Sequence, residues 1–246
     1  MSKAKSFYVF DFDDNLIHTG SLTYIYHKET GEELSLSSGD FITERAHIGL
    51  SGKYKDYKID PSPHKTYRRF HDDPEKNHFP FVEDLEESIS QPGWQGPSWS
   101  RFLKAVERDR TMAIITARGN HPERINEGFE FLASRGHIPK VPQIHAIYAV
   151  THASTKDLIR WTGPEEIAAM KKQALHHFVE KVYEDFLHLA KHRFGFSDDD
   201  PKNIESTRAK FLDLKLRNPH HSFFLYEARP KNVTEEEVTL PHLETR

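Results

Sequence analysis

Apolar residues along the chain gather into five short runs: SFYVF (6–10), MAIIT (112–116), AIYAV (146–150), RFGF (193–196) and SFFLY (222–226). Each has the length and the β-branched or aromatic content of a buried strand. Between the later runs the apolar positions recur at helical spacing. Residues 98–108 put Trp99, Phe102, Leu103 and Val106 on one stripe, and 122–134 open with Pro122 at a first helical position. The longest pattern, 164–191, places Ile167, Met170, Ala174, Leu175, Phe178, Val182 and Phe186 on one face. Strands alternating with helices predict right-handed crossovers and a mostly parallel α/β sheet covered on both faces.

Residues 18–95 break the alternation. Apolar and polar positions in 22–37 alternate around ETGE (29–32), as in a hairpin, and the stretch that follows is polar, rich in Tyr and His, and interrupted by prolines. The turn-forming QPGWQGP (91–97) marks a return to the main pattern. The expected organisation is therefore a core made of 1–17 and 96–232, an insertion at 18–95, and an acidic, loosely held tail at 233–246.

Composition narrows the chemistry. A chain of 246 residues can bury one sizeable core, and its 17 Phe supply bulky material although only 36% of residues are hydrophobic. The lack of cysteine excludes disulfides, thiolate metal sites and cysteine nucleophiles. MSKAKSFYVF has too short an apolar run for a signal peptide, and no segment approaches the roughly 18 apolar residues of a membrane span, so the expectation is a cytoplasmic protein without membrane contact. With a net charge of −4, affinity for nucleic acid would need a local patch. The one basic stretch interleaved with aromatics is 53–70, where six Lys and Arg face two Asp, and where Tyr54, Tyr57, Tyr67 and Phe70 either stack on bases or pack within the insertion.

In a parallel sheet, sites form where the carboxyl ends of the strands open into loops. The first apolar run ends on Asp11, Asp13 and Asp14, the second on Thr116-Ala117-Arg118-Gly119, and the fourth on Ser197-Asp198-Asp199-Asp200. On the helix before the fourth lies Lys171-Lys172-Gln173-Ala174-Leu175. Carboxylates at two strand ends can share Mg²⁺, and a hydroxyl and an ammonium complete a cradle for a phosphoryl group. Other metal readings fail: DFDDNL has Leu16 where a calcium loop needs Gly, and the His188/His192 pair lacks HExxH and a third ligand.

Asp11-Phe12-Asp13 after a strand, Thr116 after a second, a lysine opening KKQAL, and an acidic pair after a later strand resemble, in order, the four motifs of the haloacid-dehalogenase-like superfamily of phosphotransferases. The resemblance covers residues 6–20 and about 98–226. It implies a doubly wound, Rossmann-like α/β core of five strands, with a small insertion where the family carries caps: here a flap hairpin and an irregular cap.

By the same resemblance, Asp11 is the nucleophile that forms an aspartyl phosphate and Asp13 the general acid and base. Thr116 and Lys171 would hold the phosphoryl oxygens, with Lys172 the alternative lysine. Mg²⁺ would be held by Asp11, by Asp13 through its backbone carbonyl, and by Asp198, with Asp199 as second choice. Arg118 would reach a substrate phosphate or pair with an acidic neighbour. The sequence departs from the family pattern at Asn15, where Thr or Val is usual and which would bond the loop backbone, at Ser197 in place of Gly, and at Asn203 in place of a distal Asp.

The implied activity is Mg²⁺-dependent hydrolysis of a phosphorylated small molecule or nucleotide. Alternatives are a phosphotransferase or mutase, a polynucleotide-directed enzyme, or a phosphate-binding relative without turnover. A response-regulator domain uses similar residues, but the order of its acidic residues along the chain disagrees.

Overall fold

The computed structural model describes residues 4–186, 191–230 and 232–240. All five apolar runs are strands, but the sheet has six: β1 (Lys5–Phe10), β5 (Thr111–Thr116), β6 (Ile144–Ala149), β7 (His192–Asp198), β8 (Ser222–Arg229) and β9 (Asn232–Glu237), in the order β6-β5-β1-β7-β8-β9. The first five are parallel and β9 runs antiparallel to β8. The sixth strand corrects the count of five and the reading of a loose tail: residues 232–237 pair along β8, while 241–246 lie outside the described residues.

Side chains of β1 alternate between two cores. Phe7 and Val9 join Phe194, Phe196, Phe223 and Leu225 under α6 (Ile167–Asp185) and α7 (Pro201–Arg217). Phe10 joins Met112 and Ile114 on the other face, under α3 (Trp99–Glu107) and α4 (Pro122–Ser134). Phe7, Val9 and Phe10 are essentially inaccessible, and each such side chain contributes roughly 1.5–3 kcal/mol on burial. That drive holds β1 at the centre of the sheet although carboxylates follow it. The short helix α5 (Ala153–Leu158) leads from β6 toward α6, whose pattern appears as expected up to Asp185; residues 187–190, including His188, lie outside the described residues.

From β1 the chain passes to β5 and β6 on one side, then returns to β7 on the other. This reversal opens a crevice at the carboxyl ends of β1, β5 and β7.

Residues between β1 and α3 form a separate three-stranded sheet, β3-β2-β4, from β2 (Thr23–His27), β3 (Glu33–Leu36) and β4 (Tyr57–Lys58). The expected hairpin is there, with Thr23 opposite Leu36 and Tyr26 opposite Glu33. Two helices without a clear sequence signal accompany it, α1 (Ser38–Glu44) and α2 (Pro80–Ile89). Tyr54, Tyr57 and Tyr67 pack with Ile25, Leu36 and Phe41 in a third small core, so packing accounts for these rings of the basic stretch. Among the described residues no helix is long and apolar enough to cross a membrane.

Candidate functional site

The residues after β1 form a tight turn. Leu16 N–H donates to the Phe12 carbonyl at 3.0 Å, and Asp14 takes a left-handed φ of 57°, a conformation Asp tolerates better than most residues. Asp14 points to His18, 3.1 Å away, at the surface, while Asp11 and Asp13 face the crevice. Asn15 is fully buried and does bond the loop backbone: its Nδ2 donates to the carbonyls of Asp11 (3.0 Å) and Ser197 (3.1 Å), fastening the turn to the end of β7.

Lys171 projects from the buried face of α6, with Nζ 2.9 Å from Asp11 Oδ1 and 2.8 Å from Asp198 Oδ2. Lys172, its neighbour, is exposed. Burial opposes charge on Lys171, but Asp11 and Asp198 outweigh it and raise its pKa well above the ordinary lysine value. Asp198 is held on its other side: its Oδ1 accepts from the Asp200 N–H at 2.9 Å and from Asn203 Nδ2 at 3.0 Å. Asn203 thus anchors Asp198.

Carboxylate oxygens of Asp11, Asp198 and Asp199 lie within 4.8 Å of one another, the one such group among the described residues. Burial, with Asp198 and Asp199 adding to it against Lys171, pushes Asp11 well above the usual carboxylate range. Burial and Asp198 push Asp199 up to about 7. One ammonium does not neutralise three crowded carboxylates. The deficit and the all-oxygen donor set fit a hard divalent cation.

Asp13 turns the other way. Arg118 Nε donates to its Oδ2 at 2.9 Å and Nη2 to its Oδ1 at 2.7 Å, while Thr19 Oγ1 donates to Oδ1 at 2.6 Å. Burial alone would raise the pKa of Asp13, but the charge and hydrogen bonds of Arg118, helped by Thr19, hold it below the ordinary value. Thr116 Oγ1 lies 3.4 Å from Asp13 Oδ2 and accepts the Arg118 N–H at 3.2 Å.

Of the two readings of Arg118, the structure displays the pairing one. Its side chain is wholly enclosed, between the rings of Phe70 and Phe81, and reaches Ser21 Oγ at 2.7 Å and Asp84 at 3.9 Å. Ser21 and Arg69 both bond Asp84 in turn. Thr19, Ser21, Arg69 and Asp84 carry no sequence signal for this role, since polar residues in a stretch without a regular apolar period read as solvated.

The segment between β1 and α3 also abuts the loop after β5. The Gly119 N–H donates to the Phe70 carbonyl at 2.8 Å, and a Cβ at Gly119 would fall 2.1 Å from the His71 ring, so any side chain there would have to displace that ring. Asp72 accepts from Asn120 Nδ2 (2.8 Å) and from the His121 N–H (2.7 Å).

Asp11, Lys171, Asp198 and Asp199 therefore meet at one point, with Asp13, Thr116 and Arg118 beside them, and Lys172 stays outside. Comparison of the chain with protein-family models, curated proteins and solved structures finds no match.

Proposed function

We propose that the protein is a Mg²⁺-dependent phosphomonoester hydrolase of the haloacid-dehalogenase-like kind, acting through an aspartyl phosphate. One juxtaposition supports this most: Lys171 Nζ bridges Asp11 and Asp198, which stand at the ends of different strands and which the resemblance names as nucleophile and metal ligand.

In the proposed reaction an Asp11 carboxylate oxygen attacks phosphorus, the bond from phosphorus to the leaving oxygen breaks, and Asp13 supplies that oxygen's proton. Water then attacks the aspartyl phosphate, Asp13 takes its proton, and inorganic phosphate leaves with Asp11 restored. Lys171 and Thr116 would offset and position the charge on the phosphoryl oxygens. Asp11, Asp198 and Asp199 would hold Mg²⁺, which supplies charge stabilisation to the phosphoryl group and favours ionised Asp11. Arg118 keeps Asp13 ionised, the state that the water-activating half needs. Protonation of the leaving oxygen is then the harder half, and esters with good leaving groups are expected to react fastest.

The insertion would act as a cap, with His71 and Asp72 bordering the opening beside the loop after β5. Because Tyr54, Tyr57 and Tyr67 are taken up in packing, a phosphorylated small molecule or nucleotide is better supported than a polynucleotide.

The test is phosphate release from a chromogenic phosphomonoester with Mg²⁺ and no acceptor, in the wild type and in Asp11→Asn. The variant is expected to fall to background. Release unchanged in Asp11→Asn would remove the nucleophile, and release that depends on an added acceptor would favour a phosphotransferase or mutase.

A further inference from the structure

The sheet face that carries Phe10 is roofed by α3 and α4 only over β1, β5 and β6; beyond them Phe224 and Tyr226 of β8 are buried yet belong to none of the three cores. Guanidinium groups cover them instead. Arg193 lies over the Phe224 ring at 4.8 Å and Arg101 over the Tyr226 ring at 3.8 Å. Gly195 makes room for this arrangement, since a Cβ there would fall 2.6 Å from the Tyr226 ring. Arg108 and Arg110, at the end of α3 and the start of β5, complete the walls of a pocket of 220 Å³.

Four arginines thus line one small pocket against a single carboxylate, Glu235, which pairs with Arg101 at 3.2 Å. Among the described residues Arg108, Arg110 and Arg193 have no carboxylate within ion-pair distance. Like charges held together without a counter-ion are unfavourable. Stacking on an aromatic ring fixes a guanidinium plane and leaves its N–H edge free, the geometry that grips phosphate oxygens in pairs.

We infer that this pocket is an anion-binding site for a small, multiply charged phosphate, of which pyrophosphate or the diphosphate of a nucleotide is the size and charge that fit. It is separate from the strand-end crevice. Tyr8, opposite Gly195 in the sheet, precedes Asp11 by three residues, and Arg193 precedes Asp198 by five, so the pocket lies on the order of 10–15 Å back along the strands. The inference does not depend on the proposed hydrolase activity.

Titration calorimetry of the full chain with inorganic pyrophosphate, in EDTA and at low ionic strength, tests it. In EDTA no divalent cation can bridge the probe to the carboxylates of the strand-end cluster, so one saturable site is expected. In Arg110→Gln/Arg193→Gln its affinity should fall at least tenfold, while Lys172→Gln binds as the wild type does. Arg193 is exposed, so folding should survive, which circular dichroism checks. The inference is overturned by the absence of saturable binding, by equal affinity in the double variant, or by a dimer in sedimentation that Arg193→Glu splits, since a second copy would then be the occupant.

Discussion

Arg118 grips Asp13 with two parallel hydrogen bonds, Nε to Oδ2 at 2.9 Å and Nη2 to Oδ1 at 2.7 Å, joining the loop after β5 to the loop after β1. The guanidinium is itself held by Ser21 and Asp84, from the segment between β1 and α3. Asp13 therefore depends for its orientation on residues far from it in the chain. Arg118 is a positioning residue in this state, with no exposed surface to offer a substrate.

Removing the grip should be costly. Arg118→Ala leaves Asp13 and the buried Asp84 without their shared cation, and breaking such a pair from one side typically costs about 3–5 kcal/mol. Arg118→Lys should recover only part, because an ammonium cannot make the two-point contact. Urea denaturation reads both; a midpoint for Arg118→Ala equal to that of the wild type would show that the network carries no stability.

The two adjacent lysines should behave differently. Lys171→Met strips Asp11 and Asp198 of their buried partner, so a loss of about 3–5 kcal/mol and of phosphate release is expected. Lys172→Met alters an exposed position and should stay within about 0.5 kcal/mol with activity kept. Equal effects in the two variants would contradict the assignment of Lys171.

A divalent cation should stabilise the folded chain. Binding to the native state alone contributes about 2.7 kcal/mol at a hundredfold excess over Kd, so the melting temperature should rise with added Mg²⁺ and return in EDTA. Asp198→Asn should abolish the response, since Asp198 is fully buried and belongs to the cluster with Asp11 and Asp199. A Mg²⁺-dependent rise that persists in this variant would place the ion elsewhere.

Acid should weaken the fold through buried histidines. Burial, with His220, His192 and Lys215 adding to it, pushes His221 down to about 4 from its ordinary 6.5. Above pH 6.5 neither state is protonated there and the contribution is whole. Between 6.5 and about 4 the unfolded chain takes up a proton that the folded one refuses, so stability falls as pH falls. Burial and His64 lower His71 to about 4 as well, with the same sign. Melting temperatures from pH 8 to 4 should therefore decline, and His221→Asn should flatten part of the slope, because its carbonyl can still accept the His192 N–H that His221 Nδ1 accepts at 3.1 Å. An identical slope in the variant would remove His221 as a cause.

Which parts of this architecture are legible in the sequence follows from the range of the forces involved. The strands and α6 declare themselves because burial on a face imposes a period, and Lys171 lies on the apolar stripe with Met170, Leu175 and Phe178 while Lys172 lies off it. Strand β9 does not, because Glu235, Glu236 and Glu237 are exposed charges on both of its faces, typical of an edge strand, and its pairing is made by backbone bonds to β8 and by Arg101 and Arg208. The support of Asp13 by Arg118 and Asp84 is likewise hidden, since it joins three segments that are close only after folding.

Asn15 and Ser197, at the ends of the first and fourth apolar runs, touch. Ser197 Oγ donates to Asn15 Oδ1 at 3.0 Å, and Asn15 Nδ2 donates to the Ser197 carbonyl at 3.1 Å. Ser98 Oγ lies 2.7 Å from Ser197 Oγ and gives that hydroxyl a further partner. A glycine at 197 would take away the hydroxyl that donates to the buried Asn15 Oδ1, and a valine at 15 would leave the Ser197 hydroxyl with Ser98 alone and remove the donor to the Asp11 and Ser197 carbonyls; each residue suits the other. Asn15→Ala and Ser197→Gly should each destabilise, by about 1–3 kcal/mol for the buried groups left unpaired. Together they should cost less than the sum, with a coupling of at least about 0.5 kcal/mol in a double-mutant cycle. Strict additivity would mean that the Asn15 amide and the Ser197 hydroxyl contribute independently.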